Sequence, residues 1–187
     1  MTIGETLYVK DRNAWRKWLK ANHSRKKEIW LIYYKMGSGK PRIPYNHAVE
    51  EALCFGWIDS ILKPIDEQKY AQRFSPRKPT SQLSAMNRER ILRLKKQKKM
   101  TAAGFAAVSH AIHHSERRPE FSLPADIEKV LRKDPKVWAN FQKFPASYQR
   151  IRIGWIDASR HRREVFRQRL EYFVKQTRHN KRFGMVQ

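Results

Sequence analysis

Apolar residues recur along this chain with two periods, and strand-like alternation is confined to the first half. Thr6-Leu-Tyr-Val reads as a short strand. Asp11 is placed to cap a helix from Arg12 to Ala21 whose buried stripe is Trp15, Trp18 and Leu19. Ile29-Trp-Leu-Ile-Tyr-Tyr is dense in β-favouring side chains and predicts a central strand. A helix from Tyr45 to Phe55 follows, with Tyr45, Ala48, Ala52 and Phe55 on one face. Gly56 suits the left-handed residue after its end. Trp57 to Lys63 and Lys69 to Ser75 then read as an antiparallel hairpin about a turn at Pro64–Gln68, and Pro76 and Pro79 stop the second strand.

Beyond this point every periodic segment is helical. A basic helix turns Leu83, Asn87, Ile91 and Leu94 inward, and Thr101 caps an alanine-rich helix from Ala102 to about His114. Residues 115–124 have no period and two prolines, which predicts a linker. Ala125 to Leu131 is a short helix. Asp134-Pro135 opens another that Pro145 breaks, a third carries Tyr148 to Ile156, and a fourth aligns Phe166, Leu170, Phe173 and Val174. The expected class is α+β: a small antiparallel or mixed sheet packed with helices over residues 1–114, then a helical region over 125–187. Gly-Trp-Ile-Asp occurs at Gly56–Asp59 and again at Gly154–Asp157, in a strand context and a helical one. No longer period accompanies the repeat, so it is not read as a duplication.

Composition adds a partner class. Lys and Arg number 41 against 17 Asp and Glu, a formal charge of +24, and a field of that sign attracts polyanions. The bases crowd in two predicted helices: seven with one acid from Arg88 to Lys99, and nine with two acids from Arg160 to Arg182. Each stretch reads either as a solvated face or as a polyanion contact. The single cysteine, Cys54, lies on an apolar helix face and reads as a buried structural thiol. No apolar run approaches the length needed to span a bilayer, and the first residues lack a secretory pattern, so the expected location is cytoplasmic.

Several motifs carry a resemblance. Tyr45–Ser60, Tyr70–Pro79, Ser81-x-x-Ser84-x-x-Asn87 and Met100–Gly104 resemble the bacterial YdeI/OmpD-associated family, also described as bacteriocin-protection proteins. The run from Asp134 and Trp138 through Phe141 and Tyr148 to Ala158 is similar to its helical tail. The resemblance implies a link to stress or bacteriocin tolerance and names no chemistry. Where that family usually carries Trp, this chain has Leu83.

A hairpin turn centred on Asp66 would set Asp59 opposite Arg73 and Trp57 opposite Ser75 on one sheet face. Asp59 and Arg73 then form a fixed polar pair, either structural or part of a site. Arg77 and Lys78 follow on a proline-flanked loop that feeds a helix near Ser84. Helix amides and a guanidinium favour anions, so Arg73, Ser75, Arg77, Ser81, Ser84 and Asn87, with Asp59, form a candidate cradle the size of a phosphate or carboxylate. The competing reading has Ser81 or Ser84 capping the helix and Arg77 in solvent.

For catalysis the inventory is thin. Glu50 and Glu51 are adjacent and point to different helix faces, and His47–Glu51, one turn apart, reads as a surface pair ahead of a proton-shuttling couple. His110 and His114 have i,i+4 spacing, but no motif supplies a third metal ligand. Gly37-Ser-Gly-Lys-Pro lacks the ending of a phosphate loop, and no cofactor fingerprint is present. Three functions stay open: a non-catalytic binder of a small anion or nucleic acid, an enzyme using Asp59 or Glu51 with Arg73 or Arg77, and an interaction module docking through the helical tail.

Overall fold

The computed structural model describes residues 2–116 and 122–184, the side chains of 110–116 excepted. The chain is α+β, with a four-stranded mixed sheet and a helical carboxy-terminal region. Its contacts divide it into two compact units, residues 1–82 with 90–114, and residues 83–89 with 115–187. The predicted linker overlaps residues 117–121, which lie outside the described residues.

In the first unit the strands are β1 (Thr6–Leu7), β2 (Ile29–Tyr34), β3 (Trp57–Pro64) and β4 (Lys69–Pro76), in the order β1-β2-β4-β3. β1 runs parallel to β2, and the other pairings are antiparallel. β1 is shorter than the sequence suggests. α1 (Arg12–Asn22) is capped by the Asp11 carboxylate, which accepts from the Ala14 amide at 2.9 Å. Trp15 and Leu19 are fully buried while Trp18 is only half-buried. Trp15 packs edge-on against Phe74 of β4, and its indole donates to the Ala48 carbonyl of α2 (Tyr45–Cys54) at 3.0 Å. One tryptophan thus ties α1 to both the sheet and α2. Gly56, at φ +75°, turns the chain from α2 into β3. Behind it α4 (Ala102–Glu116) is capped by Thr101, whose hydroxyl also donates to the Cys54 carbonyl.

The second unit holds α5 (Ala125–Arg132), α6 (Pro135–Lys143), α7 (Ala146–Asp157) and α8 (Arg163–Arg178). Its core is Ile127, Leu131, Val137, Phe141, Phe144, Tyr148, Ile153, Ile156, Leu170 and Phe173. Asp134 caps α6 through the Lys136 and Val137 amides, with Pro135 first in the helix, as the sequence predicts. α3 (Ala85–Lys96) belongs to the second unit up to Glu89 and to the first from Arg90. Gly154, in the second Gly-Trp-Ile-Asp, lies so near Ala85 that an added Cβ would sit 2.7 Å from that methyl. The two copies occupy a strand and a helix and share no structural role.

Candidate anion-binding site

The hairpin register differs from the expected one by a residue. Asp59 pairs with Phe74, Ile58 with Ser75 and Trp57 with Pro76. Two features produce this. The pairing next to the turn, Pro64 with Tyr70, centres the hairpin on Glu67 instead of Asp66, and an irregularity between Asp59 and Leu62 places an extra residue in β3. Side chains alternate, so one residue of slip sends Asp59 and Arg73 to opposite faces and the expected pair does not form.

Each finds another partner. Asp59 Oδ2 accepts from the Tyr45 hydroxyl at 2.5 Å, on the face that carries Phe74. Burial and then the bond to Asp59 push the Tyr45 hydroxyl's pKa upward. Tyr33 lies on the same face, 1% exposed, with its hydroxyl unpartnered. Arg73 donates from Nε to Glu28 Oε2 at 2.7 Å, and from Nη1 to Ser60 Oγ at 3.2 Å and Ser75 Oγ at 3.4 Å. The bond from Arg73, reinforced by the Trp30 indole, holds the Glu28 carboxyl below its usual range. Glu28 was missed by sequence reasoning. The available signal was its position just before a strand that pairs with β4.

Arg77 is not in solvent. It is 6% exposed, and its Nη2 donates to the carbonyls of Ser81 at 2.8 Å and Gln82 at 2.5 Å. Its Nε and Nη1 are buried without a hydrogen-bond partner. Burial lowers its pKa, and no acidic neighbour among the described residues opposes that. Ser81 thus meets Arg77 through its backbone and not its hydroxyl. Ser84 Oγ accepts from the Asn87 amide at 3.2 Å, the capping arrangement, and both residues belong to the second unit. Of the candidate residues, the structure brings together Arg73 with Ser75, Arg77 with Ser81 and Ser84 with Asn87, and it separates Asp59 from Arg73.

Glu50 and Glu51 form a network with arginines that the sequence did not reveal. Both are buried, at 6% and 1% exposed. Arg12 spans them, its Nε on Glu51 and its Nη2 on Glu50 at 2.8 Å. Arg16 holds the other Glu51 oxygen at 2.5 Å, and Arg93 holds the other Glu50 oxygen. Glu51 is therefore no surface partner of His47. All four carboxylate oxygens are engaged by arginine nitrogens. The side chains of His110, His113 and His114 lie outside the described residues, and among those described no group of three or more side chains could hold a metal ion.

Two family models match the chain. One, a domain of unknown function (DUF8412), covers residues 7–107 and with them the motifs from Tyr45 to Gly104. The other, described as bacteriocin-protection, YdeI or OmpD-associated, covers residues 120–180, so the resemblance to that family holds over the helical tail. No curated protein and no solved structure matches. Neither description names a reaction or a ligand.

Proposed function

This chain belongs to the domain family of unknown function that its residues 7–107 match, and we propose that it is a non-catalytic binding protein for an anionic ligand. Arg77 carries the reading. An ionised group without a counter-charge in a dry site costs several kcal/mol, so such groups are nearly always paired. Arg77 is buried, faces only backbone carbonyls, and retains two nitrogens with nothing to donate to. A carboxylate or phosphate oxygen there would supply both the charge and the acceptor. The catalytic alternative has less support, because Arg12 and Arg16 hold Glu51.

A polyanion is a second reading, favoured by the end of α3, where Lys96, Lys98 and Lys99 are all exposed. None of the six Trp is exposed, so base stacking adds little to it. Anisotropy with labelled duplex DNA, single-stranded DNA and RNA across salt separates specific contact from general attraction.

The test of Arg77 is its own Nε–H resonance, followed during titration with inorganic phosphate and with malonate. The resonance shifts saturably in the native chain, and the thermal stabilisation given by the same anion is reduced in Arg77→Met. A stationary resonance, or an undiminished thermal response in the variant, removes Arg77 from the site.

A further inference from the structure

The loop after β2, Gly37-Ser-Gly-Lys-Pro, lacks the ending of a phosphate loop, yet its geometry suits an anion by another route. Lys35 is anchored by its amide to the Gln68 carbonyl at 2.7 Å, and the Ser38 amide closes a turn onto the Lys35 carbonyl at 3.2 Å. Gly37 and Gly39 both have positive φ, +93° and +70°. A Cβ added at either would meet nothing within 4 Å, so the backbone there is open to an approaching ligand. Tyr34 through Arg42 line a shallow, open recess of about 410 Å³.

Its walls carry Lys35, Lys40 and Arg42 and no acid. Several arginines elsewhere are matched with carboxylates, as Arg73 is with Glu28 and Arg150 with Glu89. Here Arg42 Nη1 donates to the Tyr34 carbonyl at 3.0 Å and lies 3.4 Å from the Tyr70 hydroxyl, fixed by neutral groups on two strands. Lys40 Nζ rests over the Tyr34 ring, 4.6 Å from its centre. Two of the three cations are thus held in place by uncharged partners around a concave, glycine-lined backbone, an arrangement that favours anions. Met36 stands at the rim, 90% exposed, an apolar side chain with no packing role.

We propose that this recess binds a phosphate group borne by a small molecule, with Lys35, Lys40 and Arg42 as the cationic wall and the Gly37–Gly39 backbone as the floor. The volume exceeds that of one phosphate and leaves room for the group that carries it, which Met36 would contact. The site stands on its own residues and does not depend on the reading of Arg77.

Inorganic phosphate and pyrophosphate are titrated into the full chain while the backbone amides of Gly37 and Gly39 are followed by nuclear magnetic resonance. Saturable shifts are expected at both glycines, and pyrophosphate binds more tightly. Lys35→Gln/Lys40→Gln, which leaves the Arg42 bonds intact, weakens binding by about tenfold or more, the scale of a lost charge-assisted contact. Lys96→Gln/Lys98→Gln removes the same charge elsewhere and changes it by less than about twofold, as screened distant charges should. Arg77→Met leaves the glycine shifts intact. Stationary glycine amides, or equal losses in the two double variants, would overturn the proposal, the second by showing that only the general field acts.

Discussion

The Tyr45 hydroxyl donates to Asp59 Oδ2 at 2.5 Å, joining the first residue of α2 to β3. The extra residue in β3 makes this bond possible. Without it Asp59 would stand one position further along β4 and on the other face, away from α2. α2 has no side-chain cap at its amino end, and this bond ties its first residue to the sheet.

Tyr45→Phe removes the donor and leaves Asp59 part-buried. The expected cost is about 2 kcal/mol, typical of a hydrogen bond to a charged group. The pH dependence follows from the sign of the shift. Burial and Asp59 raise the phenol's pKa in the folded chain, so the stability it contributes is complete below the unfolded value of about 10. That stability is lost as pH climbs above this value towards the folded one. Denaturant melts of both proteins at neutral and alkaline pH check this. An unchanged midpoint in Tyr45→Phe at neutral pH would show that the bond contributes nothing.

Glu51→Gln tests the arginine network. It removes the charge opposite Arg12 and Arg16 while keeping the shape, and breaking such a buried arrangement costs about 3 kcal/mol. The figure sits at the low end of its range because both arginines keep some contact with water, 25% and 36% exposed at the side chain. His47→Ala should cost far less. Equal melting temperatures for the two variants would contradict the network as the reason Glu51 is buried.

The fold was largely legible because burial follows local periods. The apolar run of β2, the Asp11 and Asp134 caps and the Gly56 turn are each written in a few consecutive residues, and each appears where expected. The candidate site was less legible because its geometry is set by backbone detail. One extra residue between Asp59 and Leu62 is invisible to alternation, yet it decides whether Asp59 meets Arg73 or Tyr45. The partners of Arg77 are carbonyls, which every sequence possesses. The separation of Glu50 from Glu51 by helix geometry is sound, but a guanidinium reaching both with different nitrogens lies beyond a rule about faces.

Cys54 is fully buried, and burial, with the charge of Glu51, pushes its thiol up to about 11 despite Arg16 nearby. A folded pKa above the unfolded value of about 8.5 means a contribution present below that pH and lost as pH rises through 11. The thiolate is the reactive form, so labelling by an aromatic disulfide reagent near pH 8 should proceed only as fast as the chain opens. Immediate labelling of the native protein would place Cys54 at an accessible, acidified site instead.

Gly104 offers the sharpest test of the packing that supports the site. It lies in the first turn of α4, against the end of α2, where an added Cβ would fall 2.2 Å from the Cys54 carbonyl oxygen and 3.0 Å from that of Leu53. Both obstacles are backbone, which cannot rotate away as a side chain can. In an exposed helix Gly→Ala would stabilise by up to about 1 kcal/mol through propensity. Here the clash must win, since relief requires α4 to withdraw from the Thr101 bonds to Cys54. Gly104→Ala should therefore destabilise by about 3 kcal/mol, the upper end for overpacking. Chemical denaturation measures it directly, and a variant as stable as the native chain would mean that α4 does not approach Cys54 this closely.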